Sequence, residues 1–244
     1  MKIKTHYLRK IAAWLLPYTC LLCQHPANRY QDLCEPCKKD LPLLTHACVR
    51  CAVPLPETHT AVVCGFCQKN PPPFEKAHAL YCYEPPIGNL ILALKFNQSL
   101  IHARVLGELM AENIQSRWYQ NNPLPALIIP VPLHPKRLKE RGFNQALEIA
   151  RPVAKTLQLP IETATTQRVK YTEAQTALSA VARQNNIKNA FIVTKELKGQ
   201  HLAVIDDVMT TGHTMTEFCK TLKQYGAGRI DVWCCARPQF DSPY

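Results

Sequence analysis

The chain has 244 residues, 47% of them hydrophobic, and 29 lysines and arginines against 18 acids give a formal net charge of +11. That length suits one medium domain plus a small one, and the apolar content is enough for a sizeable core. No apolar run approaches the roughly 20 residues needed to span a bilayer, and the basic excess fits nucleic acid or phosphorylated ligands.

At the N-terminus, Lys2, Lys4, Arg9 and Lys10 precede Ile11-Ala12-Ala13-Trp14-Leu15-Leu16. The apolar stretch is short, Pro17 stops it, and no A-x-A cleavage site follows. Residues 1–19 therefore read as a short basic amphipathic helix packing on the body of the protein, rather than as a signal peptide.

Four C-x-x-C pairs come next: Cys20/Cys23, Cys34/Cys37, Cys48/Cys51 and Cys64/Cys67, separated by 10, 10 and 12 residues. Two thiolates two residues apart can share one tetrahedral ion, so eight ligands satisfy two structural Zn(Cys)4 sites. Sequential pairing of the knuckles is the simplest arrangement, and a cross-braced pairing meets the same count. Cys82, Cys219, Cys234 and Cys235 lack the spacing and read as core residues. Free thiols and zinc imply a reducing cytoplasm. Eight thiolates carry −8 and two zinc ions +4, which lowers the formal charge from +11 to about +7. The zinc module covers residues 20–70. It has few large apolar residues and needs its metal to fold. Pro71-Pro72-Pro73 opens a stiff linker over 71–75, and residues 76–244 form the larger domain.

In that domain, residues 81–83 have strand character. Ile87, Leu90, Ile91 and Leu94 have helical spacing over 87–96, and a second helix covers 102–119. A strand over 126–131, a helix over 143–157, strands over 191–193 and 202–205, a helix over 214–225 and a strand over 230–235 follow. This alternation predicts an α/β fold: a mostly parallel sheet flanked by helices, with ligands at the carboxyl ends of its strands.

Three stretches carry chemistry. The first, from Pro130 to Gln145, includes Pro132, Lys136, Arg137 and Arg141. It reads as a basic loop after a strand, placed to hold a pyrophosphate, with Gly142 allowing close backbone approach. The second, over 165–176, is polar and aperiodic and contains Arg168 and Lys170. It reads as a mobile loop able to cover a site and exclude water. The third is Asp206-Asp207-Val208-Met209-Thr210-Thr211-Gly212-His213-Thr214. A strand end, a small-residue turn and a helix N-terminus converge there into an anion cradle. The two carboxylates suit neighbouring hydroxyls, so the string fits a ribose 5-phosphate.

The acidic string resembles the 5-phosphoribosyl 1-pyrophosphate (PRPP) signature of type I phosphoribosyltransferases. The cysteine knuckles, Leu94-Lys95-Phe96, Arg141-Gly142-Phe143-Asn144-Gln145 and the series Arg168, Thr172, Gln175, Arg183 occur in order before it. Together they resemble the ComF/GntX family of competence-associated proteins, in which a zinc finger precedes a phosphoribosyltransferase-like domain. The resemblance implies transport or handling of single-stranded DNA in natural transformation, alongside other competence proteins such as a helicase or the uptake machinery. It also implies a PRPP-binding pocket. Many relatives carry fewer cysteine pairs, so at least one zinc is implied. The alternative is an active magnesium-dependent phosphoribosyltransferase with an unspecified acceptor. In that case Asp206 and Asp207 hold the ribose hydroxyls, Val208 to Thr214 the 5-phosphate, and Pro132, Lys136, Arg137, Arg141 and Arg168 the pyrophosphate. Lys170 is then the candidate base. Phe66, Phe74, Phe96 and Phe143 are the candidates for stacking on DNA bases.

Overall fold

The computed structural model describes residues 18–27, 31–58, 60, 62–171 and 187–239. The expected N-terminal helix over 1–19 lies almost wholly outside the described residues, as does the expected covering segment beyond Tyr171. The chain divides into two compact units, Met1–Pro42 and Leu43–Tyr244. Among the described residues no helix is long and apolar enough to cross a membrane.

The first unit is a zinc knuckle around a buried Leu33. The backbone turns back between Cys20 and His25 (N–H to O 2.8 Å), and helix α1 (Glu35–Lys39) starts at Cys34 with Pro36 in its first turn. Proline is favourable there because its missing N–H has no intrahelical partner to lose. The second unit opens with the same device. Cys48 N–H donates to the Val53 carbonyl (2.9 Å), and helix α2 (Gly65–Lys69) starts at Cys64. This second ribbon is built onto a sheet. Leu44 N–H donates to Leu80 O (3.0 Å), Ala77 N–H donates to Val49 O (3.2 Å), and Phe74 is buried in the adjoining core.

The sheet is fully parallel, with four strands: β1 (Lys76–Cys82), β2 (Leu127–Pro130), β5 (His201–Val208) and β6 (Arg229–Arg237), in the order β1-β6-β5-β2. Helices α3 (Ile87–Phe96), α4 (Leu100–Asn113), α5 (Pro135–Arg141), α6 (Gln145–Leu157) and α7 (His213–Gln224) complete the unit. Alternate side chains of a strand face opposite ways. Ile129, Val131, Leu202, Val204, Val232 and Cys234 accordingly share one core cluster with Met215, Phe218 and Leu222 of α7. Residues of the other parity, Ile128, Ala203, Ile205 and Trp233, are also buried.

Three expectations need correction. The basic stretch after β2 is a helix, α5, rather than a loop. His134 caps it and Pro135 sits in its first turn. Gly142 ends that helix at φ +84°, where a glycine avoids the Cβ penalty of the left-handed region. A Cβ there would meet nothing within 4 Å, so close approach is not its role. Finally, β4 (Phe191–Val193) does not join the parallel sheet. It pairs antiparallel with β3 (Thr166–Arg168), a segment with no strand pattern in the sequence.

At the N-terminal edge of the sheet, Asp231 is fully buried. Its carboxylate accepts from Tyr119 Oη (2.6 Å) and from Arg229 (3.0 and 3.2 Å), and His201 Nε2 lies 2.9 Å away. Burial alone would raise its pKa, but these partners outweigh that and hold it below the usual carboxylate range. A depressed pKa contributes stability that is present above the unfolded value of about 3.9 and lost as pH falls through the folded one. Asp231→Asn should therefore be less stable than the parent at pH 7, by about 2 kcal/mol. The gap should close as pH falls below about 4. Urea titrations across pH read this directly, and a gap independent of pH would contradict it.

Candidate functional site

Strand β5 runs through both acids to Val208, beyond the expected end at Ile205. The strand rule then separates them. Asp206 has the parity of Leu202 and Val204 and faces the α7 side. Asp207 has the parity of Ala203 and Ile205 and faces the other. Asp206 and residues 208–214, with Met215, line one recess. Asp207 is not on its wall. It is buried and meets Lys95 of α3, Nζ to Oδ2 2.6 Å, with the lysine side chain 21% exposed and the aspartate 5%.

Burial and the adjacent Asp207 charge together push the Asp206 pKa well above the carboxylate range. Burial would depress Lys95, but the Asp207 carboxylate outweighs it and raises the pKa. The lysine therefore stays charged beside Asp207.

The floor of the recess is a turn into a helix. Gly212 at φ +80° is the N-cap of α7, with no side-chain cap on that end. A helix N-terminus without a side-chain cap offers N–H donors and the positive end of the dipole to an anion. Thr210 and Thr211 are exposed beside it.

Basic side chains gather near the acids. The charges of Asp207 and Asp206 act on Arg141, which burial otherwise depresses. Asp206 acts on Arg168 in the same way, against a stronger burial effect. Arg137 is close enough to repel both arginines. Arg141 of helix α5 and Arg168 of strand β3 thus lie within the field of the acids, and Arg137 within the field of those two arginines. Pro132 is half-buried after β2. Lys136 is exposed, with Nζ 4.4 Å from the Tyr171 ring centroid. Lys170 is exposed.

The Arg-Gly-Phe-Asn-Gln segment has a structural logic of its own. Asn144 caps α6 through the Ala146 N–H (3.0 Å) and donates from Nδ2 to Val131 O at the end of β2 (3.0 Å). Arg141 donates to Gln145 Oε1 (2.6 Å) across the turn. Lys95 was singled out in the sequence only as part of Leu94-Lys95-Phe96, and its pairing with Asp207 had no readable signal. Of the stacking candidates, Phe74 is buried and cannot reach a base, whereas Phe66 is 46% and Phe96 72% exposed.

The cysteines form two sequential groups, Cys20/Cys23/Cys34/Cys37 and Cys48/Cys51/Cys64/Cys67, each with its sulfurs within 4.8 Å of one another. The sulfurs of Cys23 and Cys34 are 3.6 Å apart, and those of Cys51 and Cys64 3.7 Å. Tetrahedral zinc with Zn–S near 2.3 Å sets sulfurs about 3.8 Å apart, so both groups fit the metal. Hydrogen bonds from Cys51 and Cys67 pull the Cys48 thiol down, and the same sharing pushes Cys67 up.

Comparison with known proteins follows this division. Residues 11–68 match the double zinc ribbon domain, and residues 144–239 match the phosphoribosyl transferase domain. The chain is 35% identical over 224 residues to DNA utilization protein YhgH of Salmonella typhi, covering 91% of this chain and 98% of that one. It is 34% identical over 226 residues to competence protein F of Haemophilus influenzae, covering 90% and 97%. Among solved structures, a purine phosphoribosyltransferase from Pyrococcus horikoshii aligns at 19% identity with a TM-score of 0.34, over 54% of this chain and 70% of that one.

The Lys95–Asp207 pair makes a direct prediction. Lys95→Met should cost about 3 kcal/mol of unfolding free energy, because a buried carboxylate loses its cation. Adding Asp207→Leu should recover most of that loss. Chemical denaturation reads both variants, and a single variant as stable as the parent would show that the pair does not secure α3 to β5.

Proposed function

The chain belongs to the ComF/GntX family, with DNA utilization protein YhgH and competence protein F as relatives, and from that premise we propose that it is a cytoplasmic DNA-handling protein whose phosphoribosyltransferase-like domain binds PRPP. The observation that carries the ligand assignment is the recess with one acid and one open helix end. A phosphate fits the N-terminus of α7 and the 210–214 turn. The Asp206 carboxyl, at the wall of the same recess, suits a ribose hydroxyl. Arg137, Arg141 and Arg168 supply charge for a pyrophosphate, with magnesium as the counter-ion that such a ligand carries. Asp207 acts behind the site, held by Lys95.

DNA handling is supported by the basic excess, about +7 once two zinc-bound cysteine groups are counted, and by the exposed aromatics Phe66 and Phe96. Phosphate contacts supply affinity for a single strand, and rings supply sequence-tolerant stacking. Other competence proteins, such as a helicase or the uptake machinery, are the expected partners. The arginine cluster favours one further reading, an active phosphoribosyltransferase, in which those arginines stabilise departing pyrophosphate. Lys170 is the sequence candidate for a base in that reaction, and release of pyrophosphate with a panel of acceptors separates the two readings.

Calorimetric titration of the zinc-loaded chain with Mg-PRPP should show binding that Asp206→Asn and Arg141→Met each weaken roughly tenfold or more, the scale of one charge-assisted hydrogen bond. Unchanged binding in Asp206→Asn would remove the pocket assignment. Fluorescence anisotropy with a labelled single strand should show binding that weakens steeply with added salt. Salt-insensitive or absent binding would contradict direct DNA contact.

A further inference from the structure

Arg237 ends β6 with only 4% of its surface exposed. A buried guanidinium needs acceptors, because leaving it unpaired carries a large desolvation cost. Arg237 finds them on two different structures. Its Nε donates to the backbone carbonyl of Cys51 at 3.1 Å, and its Nη1 donates to the backbone carbonyl of Met209. Cys51 is a member of the second cysteine group. Met209 joins β5 to the 210–214 turn and lines the recess.

A second link lies beside the first. Ala52, the residue after Cys51, is held at φ +55° with its N–H donating to Cys48 O (2.7 Å). That left-handed conformation is costly for a residue with a Cβ and persists only where its surroundings fix it. Ala52 is buried in the same core cluster as Met209 and Met215. The knuckle carrying Cys48 and Cys51 is therefore joined to the recess turn by one shared cation, and its Ala52 belongs to the same hydrophobic core. Arg50 of the same knuckle also donates to Glu75 O (3.0 Å), next to the start of β1.

We infer that the second cysteine group is a metal-responsive switch on the phosphate recess, with Arg237 as the positioning residue between them. The inference rests on the recess binding a phosphoribosyl ligand. Metal binding fixes the Cys48–Cys51 knuckle and so the Cys51 carbonyl. With that acceptor in place, Arg237 holds the Met209 carbonyl, and the 210–214 turn keeps its N–H groups aimed at the ligand. Loss of the metal leaves four crowded sulfurs without their cation and frees the knuckle to move. Arg237 then loses one acceptor, and Met209 moves with it. Coupling between two sites is reciprocal, so ligand in the recess must tighten the metal site by the same factor that metal tightens the recess. This ties ligand binding to a reduced, metal-loaded state of the protein.

The reciprocal half can be measured in the unmodified, zinc-loaded full-length chain. Calorimetry first establishes saturation with ribose 5-phosphate. The chain is then exposed to a chelator and an alkylating reagent, and alkylation of Cys51 and Cys64 is followed by peptide-resolved mass spectrometry. Saturating ribose 5-phosphate should slow alkylation at both cysteines about fivefold or more, the lower end of typical allosteric coupling. In Arg237→Met, loaded with zinc and saturated with ligand, the slowing should disappear. Unchanged alkylation in the parent with ligand bound overturns the switch, and slowing that survives in Arg237→Met overturns the role of Arg237. If calorimetry shows no binding of ribose 5-phosphate, the recess assignment itself fails and takes this inference with it, an outcome distinct from bound ligand without protection.

Discussion

Consecutive side chains of a β-strand point to opposite faces, and in β5 that rule decides what each acid can do. Asp206 reaches the recess, while Asp207 reaches Lys95 behind the sheet, 2.6 Å away. One acid faces the recess, and the other pairs with α3 from the central strand. The arrangement also sets the electrostatics. Burial raises the Asp206 pKa, and the adjacent Asp207 charge adds to that effect. Cationic ligand partners on the recess side would pull Asp206 back towards its charged form, so ligand binding and ionisation of this acid are coupled.

The remaining elements set the surroundings of that strand. Helix α5 and the short strand β3 carry Arg141 and Arg168, on which the charges of the acids act. Asn144 fixes the chain between them by bonding to the end of β2 and capping α6. The second zinc ribbon is part of the same body. It hydrogen-bonds along β1, and Arg237 joins its knuckle to the turn after β5. A ribbon with few large apolar residues gains a hydrophobic platform in this way, and the sheet gains a metal-fixed edge.

Much of this was legible in the sequence, for specific reasons. The cysteine pairs repeat at metal-ligand spacing, and their sequential grouping is the simpler of the two arrangements the count allowed. Apolar runs marked β2, β5 and β6, and helical periodicity marked α3 with its ends at Ile87 and Phe96. Segments 206 and 208–214 form one recess because a strand, a turn and a helix follow each other without interruption. What failed depended on contacts that are distant in sequence. Helix α5 is the exception, because its His134 cap and Pro135 are local start signals, although a run of charges by itself looks the same as a loop. The strand over 191–193 was expected, but its partner β3 is too short to show a period, so the antiparallel pairing that keeps β4 out of the parallel sheet was not legible. Lys95 and Arg237 are single charges in apolar segments, and their roles appear only when Asp207 and Cys51 are beside them.

The central claim is that the turn after β5 and the N-terminus of α7 receive the phosphate of a phosphoribosyl ligand, with Asp206 at the wall of the same recess. Hydrogen–deuterium exchange of the zinc-loaded chain with and without Mg-PRPP tests it most directly, because it reads the backbone N–H groups that would do the binding. The account predicts that ligand slows exchange in peptides covering 206–215, with a smaller effect over 132–145 and none at the Asp231 edge of the sheet. Protection that appears elsewhere while 206–215 exchanges at its unliganded rate would contradict it.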